Sequence, residues 1–170
     1  MSVIKKLIVS GLGTGYLPVA PGSWASLAVC GIFLGLVCLL GGNPAAPVAI
    51  NVILVLLAMD ASVACVMLGQ FAQDAYGRKD PSHCTIDEWA GQAISLLLLP
   101  LGGAAPQPHQ WLIVAGTAFM AFRLFDTIKP PPLRTLEKLP YGWGVLMDDL
   151  GAGIYANIAS QLFLRLAMKY

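Results

Sequence analysis

Five apolar stretches, at residues 24–40, 48–70, 89–101, 111–125 and 150–168, set what this chain can fold into. Roughly 20 mostly apolar residues cross the hydrocarbon core of a bilayer as a helix. A helix also satisfies its own backbone hydrogen bonds where no water is present to do so. The sequence therefore reads as all-α: a membrane-embedded helical bundle of four or five apolar helices plus short interfacial helices, in one domain over residues 1–170. The third and fourth stretches are short. A full pair of spans, partly re-entrant segments, and segments packed inside protein all remain open for them. Composition agrees with a membrane setting, because only 11% of residues are charged, against roughly 25% in a typical soluble domain.

Turn signals separate the stretches at Gly41-Gly42-Asn43-Pro44, Gly102-Gly103 and Pro130-Pro131-Pro132. The charges are divided unevenly between the connections. Residues 41–47 and 102–110 contain no Lys, Arg, Asp or Glu, whereas the others carry Asp74, Arg78, Lys79 and Asp80, then Arg123, Lys129, Arg134, Glu137 and Lys138. Lys5 and Lys6 lie near the start, in a segment expected to be interfacial because its apolar run is too short for a signal peptide. By the positive-inside rule the charged loops and the N-terminus face the cytoplasm. Five spans would then leave Arg165 and Lys169 snorkelling at the opposite interface. A net charge of +1 excludes a nucleic-acid partner, which needs a basic patch. Cys30, Cys38, Cys65 and Cys84 form no C-x-x-C pair, and three lie in apolar runs, so they read as free thiols.

This topology gathers four unusual segments on one face. Residues 11–23 are rich in glycine and precede a helix, with Ser23 placed to cap a start near Trp24. Backbone N–H groups there could converge on an anion, or the glycines could simply allow close packing. In residues 80–89, Thr85-x-x-Glu88 fits a capping box, which leaves Asp87 unexplained, and His83 beside Cys84 lacks partner ligands at zinc spacing. In residues 123–132, Arg123, Asp126 and Lys129 fall on one side of a helix end. An interfacial salt-bridge run and a metal-plus-phosphate site explain them equally. In residues 141–153, Asp148 and Asp149 open a mostly apolar helix. Capping accounts for one acid, and the second calls for a partner such as Mg²⁺, which takes oxygen ligands and is usually shared with a phosphate. Asp60 stands apart within a span and is expected to be a structural acid, protonated or hydrogen-bonded.

The order Gly-Thr-Gly-Tyr-x-Pro-x-Ala-Pro-Gly-Ser at 13–23, Ile-Asp-Glu-Trp-Ala-Gly at 86–91, Phe-Arg-x-Phe-Asp-x-x-Lys-Pro at 122–130 and Met-Asp-Asp at 147–149 resembles the phosphatidylglycerophosphatase A family. The resemblance covers most of the chain. It implies a Mg²⁺-dependent lipid phosphatase in the bacterial cytoplasmic (inner) membrane, multi-pass, with its site on the cytoplasmic side. The substrate would be phosphatidylglycerophosphate and the product phosphatidylglycerol. On this reading Asp87, Glu88, Asp126 and Asp149 are catalytic. Those four with Asp148 hold the metal, and Thr14, Ser23, Arg123 and Lys129 bind the substrate phosphate. The oligomeric state stays open.

Other phosphatase chemistries lack their residues. No Cys is followed by Arg six positions later, there is no Asp-x-Asp-x-Thr, and no Lys-x6-Arg-Pro precedes a Ser-Gly-His. Two alternatives from other classes remain. A phosphatidyltransferase also clusters acids and metal at the membrane face, although its Asp-x-x-Asp-Gly-x-x-Ala-Arg run is missing. A small non-enzymatic transporter would depend chiefly on Asp60.

Overall fold

A computed structural model describes residues 2–41, 43–77, 83–100, 108–136, 139 and 142–167. The described chain is helical: α1 (Ser2–Val9), a 3-10 turn (Thr14–Tyr16), α2 (Pro21–Leu40), α3 (Ala46–Tyr76), α4 (Ile86–Ser95), α5 (Pro108–Ile128), α6 (Leu133–Leu136) and α7 (Gly142–Ala167). The helices α2 and α3, together with His109–Ile128 of α5, are long and apolar enough to cross a membrane. With 26 residues α7 has the length, but Asp148, Asp149, Asn157 and Gln161 interrupt its apolar sequence.

Helix boundaries follow local chemistry. Pro21, whose fixed φ suits a first turn, opens α2. The helix thus begins earlier than the sequence suggests, with Ala20 rather than Ser23 at the N-cap position and no side-chain cap. At its other end α3 stops on Gly77, which adopts φ 67° and donates its N–H to the Gln73 carbonyl at 2.8 Å. Along α3 the buried positions are Ala46, Ile50, Leu54, Ala58, Ala61, Cys65, Gly69 and Ala72, a stripe at helical spacing. Asp60 lies off that stripe and is exposed.

The short third stretch is packed inside protein. Eight of the ten residues of α4 are buried, and α4 packs against α7, α3 and α2. Two glycines permit this. A Cβ on Gly91 would come within 2.6 Å of the Asp149 carbonyl oxygen, and one on Gly153 would strike the Gly91 backbone. Beyond Ser95 the chain leaves the helix, and freed backbone groups must find partners where water is scarce. The Asn157 amide supplies them by donating to the carbonyls of Ser95 at 3.1 Å and Leu97 at 2.6 Å. Asn51 Oδ1 accepts the Leu98 N–H at 2.7 Å. A half-helix and an irregular segment therefore replace a regular span, held by two asparagines.

Candidate active site

The head of α2, the head of α4, the tail of α5 and the first turns of α7 meet around one cavity of about 270 Å³. Its lining is Ala20, Pro21, Gly22, Cys84, Asp87, Glu88, Arg123, Asp126, Lys129, Val145, Asp148 and Asp149. All five acids proposed from the sequence, and both cations, therefore share a single space.

Burial is what makes this arrangement costly. Asp87, Asp148 and Asp149 are only 4%, 3% and 5% exposed. Two cations divide the site. Arg123 donates to Glu88 at 2.6 Å and lies 3.2 Å from Asp126, so one guanidinium braces acids from α4 and α5. Lys129 pairs with Asp148 across α5 and α7. Five carboxylates against two cations still leave an excess of three negative charges when all are ionised. The excess is felt at Asp149, which lies at the head of α7 outside the apolar stretches. Burial first, then the fields of Asp87, Asp126, Glu88 and Asp148, hold its carboxyl well above the usual carboxylate range.

Local structure explains how each group is aimed. Glu88 lies against the first turn of α2, where Gly22 leaves it room that any Cβ would fill. There it also accepts a bond from Ser26 at 3.4 Å, and the positive end of the helix dipole favours its charge. Glu88 is therefore turned across to Arg123 instead of closing a capping box. Thr85 sits at the N-cap of α4, but its hydroxyl meets that of Thr14 at 3.1 Å. Lys129 adopts a left-handed φ of 47° just past the end of α5. Arg134 fixes that corner by donating to the carbonyls of Lys129 at 3.0 Å and Ile128 at 3.2 Å.

The glycine-rich segment mostly packs. Gly11 leaves space for Trp89, and Gly15 lies against the His83 backbone. The Thr14 hydroxyl is engaged by Thr85 and by the carbonyls of Ser10 and Gly11. Neither Thr14 nor Ser23 lines the cavity, although Ala20–Gly22 of the same segment do. His83 stacks on Tyr76 at 5.0 Å and tilts against Tyr16 at 5.5 Å, which steadies the approach to Cys84. Cys84, Val145 and the Ala20–Gly22 backbone are wall residues that the sequence did not single out. An uncharged wall residue carries no spacing or charge signal. Arg134 was legible as a charge but not as a brace.

Chemically the cavity offers oxygen donors in excess, two cations and a helix N-terminus. Among the described residues no three His, Cys, Asp or Glu side chains stand close enough to hold one ion by themselves. This does not match a closed structural metal site. It fits an ion that takes one or two carboxylates and completes its shell with water and a substrate phosphate, which is how Mg²⁺ is usually bound.

The family model described as phosphatidylglycerophosphatase A matches residues 7–164. The chain is 34% identical over 157 residues to a Bacteroides thetaiotaomicron protein named "Putative phosphatidylinositol-3-phosphatase", covering 92% of this chain and 91% of the relative. It is 33% identical over 153 residues to phosphatidylglycerophosphatase A of Haemophilus influenzae, covering 89% and 83% of the two chains. With phosphatidylglycerophosphatase A of Escherichia coli it shares 30% identity over 149 residues, covering 87% and 76%. No solved structure matches.

Proposed function

This chain belongs to the phosphatidylglycerophosphatase A family, and from that premise we propose that it removes the terminal phosphate of phosphatidylglycerophosphate to leave phosphatidylglycerol, in a Mg²⁺-dependent reaction at the cytoplasmic face of the membrane. The observation that carries the reading is the single cavity, at one end of the helices long enough to span, in which acids from α4, α5 and α7 meet Arg123 and Lys129. A lipid phosphomonoester keeps its tails among the helices and presents its phosphate at that end.

Of the site acids, one or two drawn from Asp87, Asp126 and Asp149 are the carboxylates we assign to Mg²⁺, with water and the substrate phosphate completing its shell and Glu88 and Asp148 behind them. When bound, the ion would offset the excess negative charge and polarise the phosphate. Lys129 binds the phosphate and exchanges part of its contact with Asp148 for the substrate. Arg123 keeps Asp126 and Glu88 in register. The first turn of α2 presents its positive end to the same anion. One of the site acids accepts the proton of the attacking water. A transporter reading loses support because Asp60 is exposed on the outside of α3, away from the cavity.

Purified protein in mixed micelles is expected to release phosphate from phosphatidylglycerophosphate with Mg²⁺, and to stop in EDTA. Phosphatidylinositol 3-phosphate tested alongside reads head-group choice. Faster release from that lipid, or release unaffected by EDTA, would overturn the substrate or the metal assignment respectively. Orientation has its own measurement. In a Cys38→Ser background, Asn43→Cys is expected to react with an impermeant maleimide from outside sealed cells, and Lys138→Cys only after lysis. External labelling of the latter would place the charged loops on the wrong side.

A further inference from the structure

Asp60 is exposed on α3, within a helix otherwise apolar enough to span a membrane. The residue is not level with the lipid surface. Gly142, at the head of α7, packs on the Cys65 backbone, and Cys65 Sγ lies 3.6 Å from the Gly142 carbonyl. Asp60 is five residues further toward the other end of α3, roughly 7–8 Å at 1.5 Å per residue. An acid at that depth facing lipid is unfavourable and calls for a polar partner. Residues 21–77 contain no Lys or Arg, so α2 and α3 offer it no cation.

The positions around Asp60 form a pattern. Ile53, Leu56, Asp60, Val63, Met67 and Gln70 are all exposed and recur at alternating steps of three and four. This is the spacing of a left-handed helix–helix seam. It occupies the face of α3 away from its buried stripe, and the next step is Asp74, beyond the apolar stretch where water screens it. From Ile53 to Gln70 the seam runs roughly 25 Å at 1.5 Å per residue, most of the roughly 30 Å hydrocarbon thickness.

We propose that this outward stripe of α3 seats a second copy of the chain, the two α3 helices packing in parallel about a two-fold axis so that the two Asp60 carboxyls hydrogen-bond each other. The occupant follows from complementarity. Two copies inserted in the same orientation place each seam residue against itself or its neighbour, as an isologous interface requires. A carboxylic acid group carries one donor and one acceptor, so two Asp60 carboxyls facing each other across the axis satisfy one another without any cation. A polar residue within an apolar seam fixes register and oligomeric state.

Cross-linking in native membranes tests this. Val63→Cys (Val63 is 56% exposed) and Met67→Cys (75%) are introduced separately in the Cys38→Ser background. Both are expected to give a disulfide-linked dimer on mild oxidation, whereas Met120→Cys on α5, at 66% exposure, gives none. Asp60→Leu should lower the dimerisation constant in lipid vesicles about 3- to 20-fold, the range of an interhelical hydrogen bond in a membrane. Asp60→Asn, which keeps a donor and an acceptor, should retain most of it. Phosphate release stays near normal in all of these variants, which reports that they are folded. Active protein with no dimer at either α3 cysteine, equal cross-linking at Met120→Cys, or an Asp60→Leu dimer of unchanged affinity overturns the proposal. So does exclusive cross-linking to a different protein.

Discussion

Asp149→Asn, Asp126→Asn and Asp87→Asn are each expected to cut phosphate release by at least 10²–10³ while leaving the fold intact. The magnitude is that of losing one charged contact formed as charge develops in a transition state, about 2.7–4 kcal/mol. The structure adds a second, opposite expectation. The metal-free site has five carboxylates and only two cations, and Asp149 is buried among them with its carboxyl pushed up first by burial and then by the field of the other acids. An amide there removes repulsion without changing shape. Metal-free Asp149→Asn should therefore unfold at a higher temperature than metal-free wild type, and Mg²⁺ should stabilise it less. Raised stability with lost activity marks a residue whose charge serves chemistry at the expense of folding. The measurements are phosphate release across a Mg²⁺ titration and thermal unfolding with and without the ion. Near-full activity in all three variants would remove these acids from the reaction. An equal Mg²⁺-induced rise in unfolding temperature for wild type and Asp149→Asn would take Asp149 out of the metal site.

Charge placement made much of this site legible before any coordinates. Long-range assembly needed only topology: once uncharged and charged loops alternate, Asp87, Asp126, Asp148 and Asp149 must fall at one end. Lengths of the apolar stretches located α2 and α3, since bilayer thickness fixes helix length, whereas the fourth stretch, short in the sequence, is part of the 21-residue α5. What the sequence hid were interactions with no local signature. Thr85-x-x-Glu88 has the spacing of a capping box, but Arg123 lies 35 positions away and offers Glu88 a charged partner that outcompetes a backbone N–H. The family resemblance makes Thr14 a phosphate ligand, yet the nearby Thr85 hydroxyl engages it. The third stretch stays open in the sequence between a span, a re-entrant segment and one packed inside protein, because hydropathy does not report that Asn157 and Asn51 satisfy its irregular end. The sequence carries no signal for which way Asp60 faces, because apolar residues flank it on every side of the helix. Only the angular position of Ala58, Ala61 and Cys65 shows that it faces out.

Lys129→Met is expected to lose both activity and stability, and the two losses separate in a double-mutant cycle. Lys129 pairs with Asp148, whose side chain is only 4% exposed. Removing one partner of a buried ion pair leaves the other charge uncompensated, at a cost of about 3–5 kcal/mol. Lys129→Met should thus unfold well below wild type, and adding Asp148→Asn should return most of that stability because the stranded charge disappears. Activity has two possible origins. If Lys129 only neutralises Asp148, then in an Asp148→Asn background the lysine has nothing left to do, and Lys129→Met costs no further rate. If Lys129 contacts the substrate phosphate, the same substitution should still cost roughly 10² in kcat/KM in that background, since the contact formed in the transition state is independent of Asp148. The second outcome is the one expected. Lys129 sits at a corner held in a left-handed conformation and braced by Arg134, with its side chain on the cavity wall. A lysine needed only for neutralisation would not require such a fixed backbone. The cycle therefore needs activity and unfolding temperature for wild type, the two single variants and the double variant. Additive activity losses alongside a strongly non-additive stability assign Lys129 to the phosphate, whereas activity that tracks stability through all four proteins assigns it to Asp148 alone.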